Sequence, residues 1–133
     1  MSIRPALFGL VLAGALTTAG CQSDPPALAA VSGRVTYLGA PLSCGVIVFC
    51  PDGDAGCYGS CATGEIGANG RYVLKTDGAT GAIPGWHRVT IAVLDAGFGA
   101  RLPDRFRDPS SSNLRAEVRA GQANEIDFKL EGP

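Results

Sequence analysis

The sequence predicts an all-β protein, a single antiparallel β-sandwich of about seven short strands. Three observations point there. Apolar and polar residues alternate with a period of two along several segments, Gly, Pro and Asn-Gly punctuate the chain between them, and long helix-favouring runs are few.

In chain order, Val31, Gly33, Val35 and Tyr37 alternate with Ser32, Arg34 and Thr36, a first strand that ends at Gly39-Ala40-Pro41. A second strand spans Val46–Cys50, and a less marked one lies around Cys61–Ile66. Asn69-Gly70 is a turn signal before a strand over Arg71–Thr76, where Tyr72 and Leu74 share one face. After Pro84-Gly85, the segment Trp86–Leu94 places Val89, Ile91 and Val93 opposite Arg88, Thr90 and Ala92. A less regular stretch over Gly97–Ser112 gives way to Leu114–Val118. Glu125–Leu130 closes the series, with Ile126, Phe128 and Leu130 against Glu125, Asp127 and Lys129. Closing two sheets over one core is the arrangement that buries all these apolar faces against the ordering entropy of a glycine-rich chain.

The first twenty residues have a different character. Arg4 is their only charge, Pro5 to Ala15 is small and apolar, and Thr17-Thr18-Ala19-Gly20 leads to Cys21. This is the anatomy of a secretory signal, with an apolar run too short to cross a bilayer comfortably. Ala19-Gly20-Cys21 resembles the lipobox of bacterial lipoproteins, with Thr18 standing where that pattern usually has an aliphatic residue. The resemblance implies cleavage before Cys21 and attachment of diacylglycerol and a further acyl chain, palmitate among the usual ones, to that cysteine. Two or three chains are enough for stable attachment, whereas one is marginal. The expected organisation is a signal peptide over 1–20, a lipidated N-terminus and tether over 21–30, and a β-sandwich over 31–131.

Residues 1–20 hold one arginine and no acid, so their removal from 133 residues leaves 113, with ten basic against twelve acidic side chains and a formal net charge of -2. That length suits one compact domain. A weak charge with dispersed basic residues gives no reason to expect a nucleic-acid partner.

Four further cysteines, Cys44, Cys50, Cys57 and Cys61, fall close together. In an oxidising envelope an even number argues for two disulfides, with three possible pairings. Cys44 and Cys50 bracket an extended strand and stand too far apart to bond. A returning hairpin favours nested bonds, Cys50 with Cys57 and Cys44 with Cys61. The spacing forms neither the paired Cys-x-x-Cys knuckles of structural zinc nor a redox Cys-x-x-Cys, so the cluster reads as structural, with no metal and no cofactor.

Other constellations are weaker. His87 is the only imidazole; a small hydrolase would have to rest on it, and a surface or half-buried strand histidine is the simpler reading. Asp52 and Asp54 offer oxygens in a loop without an EF-hand pattern, and solvation is the expected state. Trp86, Arg105, Phe106 and Arg107 form a tentative partner surface, set against a reading in which Leu102 or Phe106 packs over the sandwich edge. Trp86 and Tyr37 could stack on sugar only if two rings formed a platform.

Taken together, the segments Gly33–Leu42, Gly45–Pro51, Gly67–Leu74, Ile83–Ile91, Leu102-Pro103-Asp104-Arg105-Phe106, Ser112–Val118 and Ile126–Leu130 resemble small bacterial envelope lipoproteins carrying a transthyretin-like, carboxypeptidase regulatory-like domain. The resemblance implies a seven-stranded prealbumin-like sandwich and a noncatalytic structural or protein-interaction role in the envelope. It transfers no active site. Hydroxyisourate hydrolases share this kind of fold, but they use several histidines and a Tyr-Arg-Gly-Ser-like C-terminal segment, where this chain ends Lys129-Leu130-Glu131-Gly132-Pro133. A carbohydrate-binding module is the alternative. The expected partners are the membrane, through the N-terminal lipid, and an envelope protein or glycan. Gln22, rather than Asp, after Cys21 favours an outer-membrane destination.

Overall fold

A computed structural model describes residues 27–93 and 102–132. The leader, Cys21, most of the tether and the stretch from Leu94 to Arg101 lie outside the described residues. The architecture is all-β, with two sheets in an open, sandwich-like arrangement.

Among the described residues there are eleven short strands where the sequence predicts about seven: β1 Val31–Tyr37, β2 Ala40–Pro41, β3 Gly45–Pro51, β4 Ala62–Ile66, β5 Arg71–Val73, β6 Lys75–Thr76, β7 Ala79–Thr80, β8 Gly85–Ala92, β9 Leu114–Val118, β10 Asn124–Glu125 and β11 Phe128–Leu130. Six of them form one sheet in the order β7-β6-β4-β3-β8-β9. In the five-stranded sheet, β2, β5, β10 and β11 all pair with β1.

That second sheet is not purely antiparallel. β1 runs parallel to both C-terminal strands, with Val31 opposite Asn124 and Val35 opposite Phe128. Both pairs share one register, so β10 and β11 are a single strand interrupted at Ile126-Asp127. Side chains fill the interruption. The Arg34 N–H donates to the Asp127 carboxylate at 2.9 Å, and the Tyr72 hydroxyl donates to the Ile126 carbonyl. Burial, with Asp127 nearby, pushes the Tyr72 phenol up and keeps it a donor. Gly33 is required at this point, because a Cβ there would meet the Ile126 oxygen at 1.8 Å.

The segment expected as one strand over Arg71–Thr76 is also divided, β5 in one sheet and β6 in the other. Leu74 forms the corner, donating to Val31 O and accepting from Gly81 N. Tyr72, Leu74 and Thr76 all stay buried, because both sheets present the same side of the chain to the core.

Phe49 of β3 is the hub of that core. Its ring lies 6.2 Å from Tyr72, 5.9 Å from Phe128 and 5.8 Å from His87, which joins the sheets through aromatic contacts. Val31, Val35, Ile47, Leu74, Val89 and Ile91 fill the space around it. The N-terminal segment is tied in from Ala29, which exchanges backbone hydrogen bonds with Ala82, while Ala30 O accepts from the backbone and side chain of Asn124.

Candidate functional site

The outer face of the six-stranded sheet is organised by register. Phe49 faces Ala62, so Cys50 and Cys61 come directly opposite one another, and they form a disulfide with a Cα–Cα distance of 4.2 Å. Narrow, non-hydrogen-bonded positions of an antiparallel pair bring Cα atoms to about 4.5 Å, close enough for such a bond. This corrects the nested expectation: Cys57 and Cys44 are not the partners of Cys50 and Cys61, and both are unpaired. The same ladder places Cys44 opposite Gly67, beyond the other end of the strand pair, while Cys57 is held in the connecting loop.

Continuing across the sheet, Cys50 faces Arg88 and Arg88 faces Arg115. One lateral row therefore carries a disulfide and two guanidiniums. Asp52, the next outward position along the chain after Cys50, reaches back over this row. It caps the 3-10 turn Gly53–Ala55, its carboxylate accepting from Asp54 N at 3.1 Å. Its backbone N–H donates to Trp86 O and its carbonyl accepts from Ala55 N and Cys57 N.

The carboxylate of Asp52 is buried, at 2% exposure, and accepts from Arg88 Nε at 3.2 Å and Arg115 Nη2 at 2.9 Å. Burial alone would push this carboxyl up. The Asp54 N–H and the two guanidiniums outweigh it and hold the group below the ordinary carboxylate range. Arg88 also pairs with the exposed Asp54. Arg115 lies over the Trp86 indole, its guanidinium carbon 5.1 Å from the ring centroid. The Trp86 backbone N–H donates to Cys57 Sγ at 3.3 Å. Trp86 is 41% exposed and the Arg115 side chain 53%. The result is a stacked Trp–Arg surface fixed from below by an ionised carboxylate. Such a surface offers an indole face for stacking and guanidinium N–H groups for donation.

Asp52 is thus not a solvated loop acid, whereas Asp54 is exposed. A signal for this was present: Val48, Cys50 and Asp52 share parity, and so share a face. Arg115 was missed because only the β8–β9 register brings it beside Arg88.

The expected partner surface does not assemble. Phe106 is buried at 3% in the 3-10 turn Asp104–Arg107. Arg105 stacks on it at 4.7 Å and donates to the carbonyls of Glu131 and Gly132, pinning the C-terminal segment. Arg107 is exposed, and Trp86 belongs with Arg115 instead. His87 is not half-buried but fully enclosed, at 1% exposure, in phase with Val89 and Ile91. Its Nε2 lies 2.6 Å from the Ile83 carbonyl, which can only accept, so Nε2 carries the proton. Nδ1 has no partner among the described residues. The ring faces Phe49 in the core and is closed off from the surface. Among the described residues, no three His, Cys, Asp or Glu side chains gather as metal ligands, and no helix is long and apolar enough to cross a membrane. Nor does Trp86 stack on another ring there.

Fold and surface together define a small all-β domain of two sheets. No protein-family model, curated protein or solved structure matches the chain.

Proposed function

We propose that this is a noncatalytic cell-envelope module, lipid-anchored through Cys21 on the extracytoplasmic side of a bacterial membrane, that binds a protein partner through the Trp86–Arg115 face. Gln22 after the acylated cysteine favours the outer membrane. The observation that carries the binding reading is the exposed Trp86–Arg115 stack held by buried Asp52. Trp and Arg are the side chains most enriched at energetic centres of protein interfaces. A guanidinium already fixed by a carboxylate loses little freedom on binding. The signal-like leader and the Ala19-Gly20-Cys21 sequence support the anchor.

Mass spectrometry of the chain extracted from membranes tests the anchor, with a mature N-terminus at Cys21 bearing acyl mass expected. A photo-crosslinking residue at Thr90, on the same face of β8, tests the surface. One discrete protein adduct is expected in intact envelopes, and it should disappear in Trp86→Ala and Arg115→Ala. An adduct indifferent to both substitutions would remove the Trp–Arg face from the proposal.

A further inference from the structure

Strand directions determine which end of the sandwich receives the tether. β1 starts where β3 ends, where β4 and β8 begin, and where β9 runs out. The entry end therefore gathers the Asp52–Ser60 connection, the Asp77-Gly78 turn and the Ile83-Pro84 corner. The opposite end holds the Leu38-Gly39 turn, the Asn69-Gly70 turn and Glu131-Gly132.

At the entry end lies an open groove of about 630 Å³, whose apolar lining comes from Ala27, Leu28, Tyr58, Ala79 and Ile83. Among the described residues, Asp77 is the only charged side chain that lines it. Tyr58 projects beside it at 78% exposure, more than Leu38 at 67%, Val73 at 52% or Trp86 at 41%. Its hydroxyl donates to Gly53 O at 3.5 Å, which lays the ring beside the Asp52–Ser60 connection. A tyrosine with an apolar body and a polar tip suits the headgroup level of a bilayer.

Chain length adds a second constraint. Five residues separate Cys21 from Ala27, and six Cα steps at no more than about 3.6 Å each reach at most about 22 Å. An acylated Cys21 thus confines Ala27 and the groove beside it to the neighbourhood of the lipid surface, while the orientation of the domain there is left to the groove itself.

We infer that the groove of Leu28, Tyr58 and Ile83 rests on the lipid headgroup layer, so that the domain is docked by a fixed end rather than swinging on its tether. This rests on the lipid-anchor reading of Cys21. The Trp86–Arg115 pair lies on the outer face of the six-stranded sheet near this same end, with the Trp86 backbone N–H bonded to Cys57, next to Tyr58. Because the docking contact is apolar and tyrosine-based, with no basic side chain in the lining, it does not depend on anionic lipid or on salt.

The test uses the mature acylated chain in phosphatidylethanolamine nanodiscs, with and without phosphatidylglycerol, containing a gadolinium-chelating headgroup lipid. Amide signals of Gly59, Ser60 and Ile83 are expected to broaden several-fold more than those of Gly39 and Gly67, equally in both lipid mixtures and at high salt. In Tyr58→Ser, which changes an exposed side chain, the fold's spectrum stays intact and the difference between the two ends collapses. Equal broadening at both ends, or a difference that survives Tyr58→Ser, would overturn the docking while leaving the anchor intact. Shielding of Tyr58 in intact envelopes without broadening in nanodiscs would hand the groove to a protein partner and overturn it as well. A membrane-extracted chain without acyl mass would remove the anchor and the docking together.

Discussion

The carboxylate of Asp52, in the loop after β3, reaches two strands across the sheet to Arg115 on β9, with Nη2 at 2.9 Å, while being itself almost wholly buried. A carboxylate in that position serves two guanidiniums at once. Removing its charge leaves both arginines without their shared partner and releases Arg115 from its place over Trp86.

Asp52→Asn is therefore expected to lower the thermal midpoint and to loosen the stack. Trp86 is the only tryptophan, so its fluorescence reports the stack directly. A red-shifted emission at a temperature where the fold is intact is the expected outcome. An unchanged spectrum would mean that Asp52 does not hold Arg115.

Acid should weaken the native state through the same group. The folded Asp52 carboxyl sits below its unfolded value of 3.8, so below that value the unfolded chain binds more protons. Stability from this group is complete at neutral pH, begins to decline as the pH falls toward 3.8, and is lost as it passes through the lower folded value. Asp108, whose carboxylate accepts from the hydroxyl and N–H of Ser110 and is held low by both, has the same sign. Denaturant titrations from pH 7 to pH 3, taken as approximate bounds of the carboxylate range, should show a shallower acid decline in Asp52→Asn than in the parent.

Gly33→Ala should be severe. The added carbon would stand 1.8 Å from the Ile126 oxygen, inside the junction where Tyr72 and Asp127 repair the broken ladder. A loss at or above the ~3 kcal/mol upper end of ordinary overpacking is expected in urea unfolding. A loss under about 1 kcal/mol would show that the junction can open without cost to the sheets.

Peptide mapping without reduction should recover one crosslinked species joining Cys50 to Cys61, with Cys44 and Cys57 open to alkylation after unfolding. The bond closes a loop with a sequence separation of 11, and Cys50→Ala/Cys61→Ala should lower stability by about 2–3 kcal/mol. Recovery of Cys50 with Cys57 would reinstate the nested arrangement.

Alternation along the chain made β1, β3, β8 and β9 legible, because one face of each is buried and a slip by a single residue would expose it. The same parity placed His87 with Val89 and Ile91, a stronger guide to its burial than its chemistry. What periodicity did not reveal is pairing. Nothing local announces that β1 lies parallel to residues nearly a hundred positions later, that Leu74 carries the chain from one sheet to the other, or that Asp127 substitutes for a backbone acceptor. The Trp86–Arg115 surface was legible only in its tryptophan, since its other members meet through the register of β8 with β9 and the return of Asp52 over the sheet. For Phe106 the packed reading holds and the partner-surface reading does not, because a short turn folds the ring inward.

The parallel zipper between Val31–Tyr37 and Asn124–Leu130 has a consequence for biogenesis. A nascent chain arrested before Asn124 leaves β1 bonded along only one side, with Phe128 missing from its place against Phe49. Completion of this domain must wait until Asn124–Leu130 has left the ribosome, so β1 and everything made after it remain without a finished tertiary structure until that segment arrives.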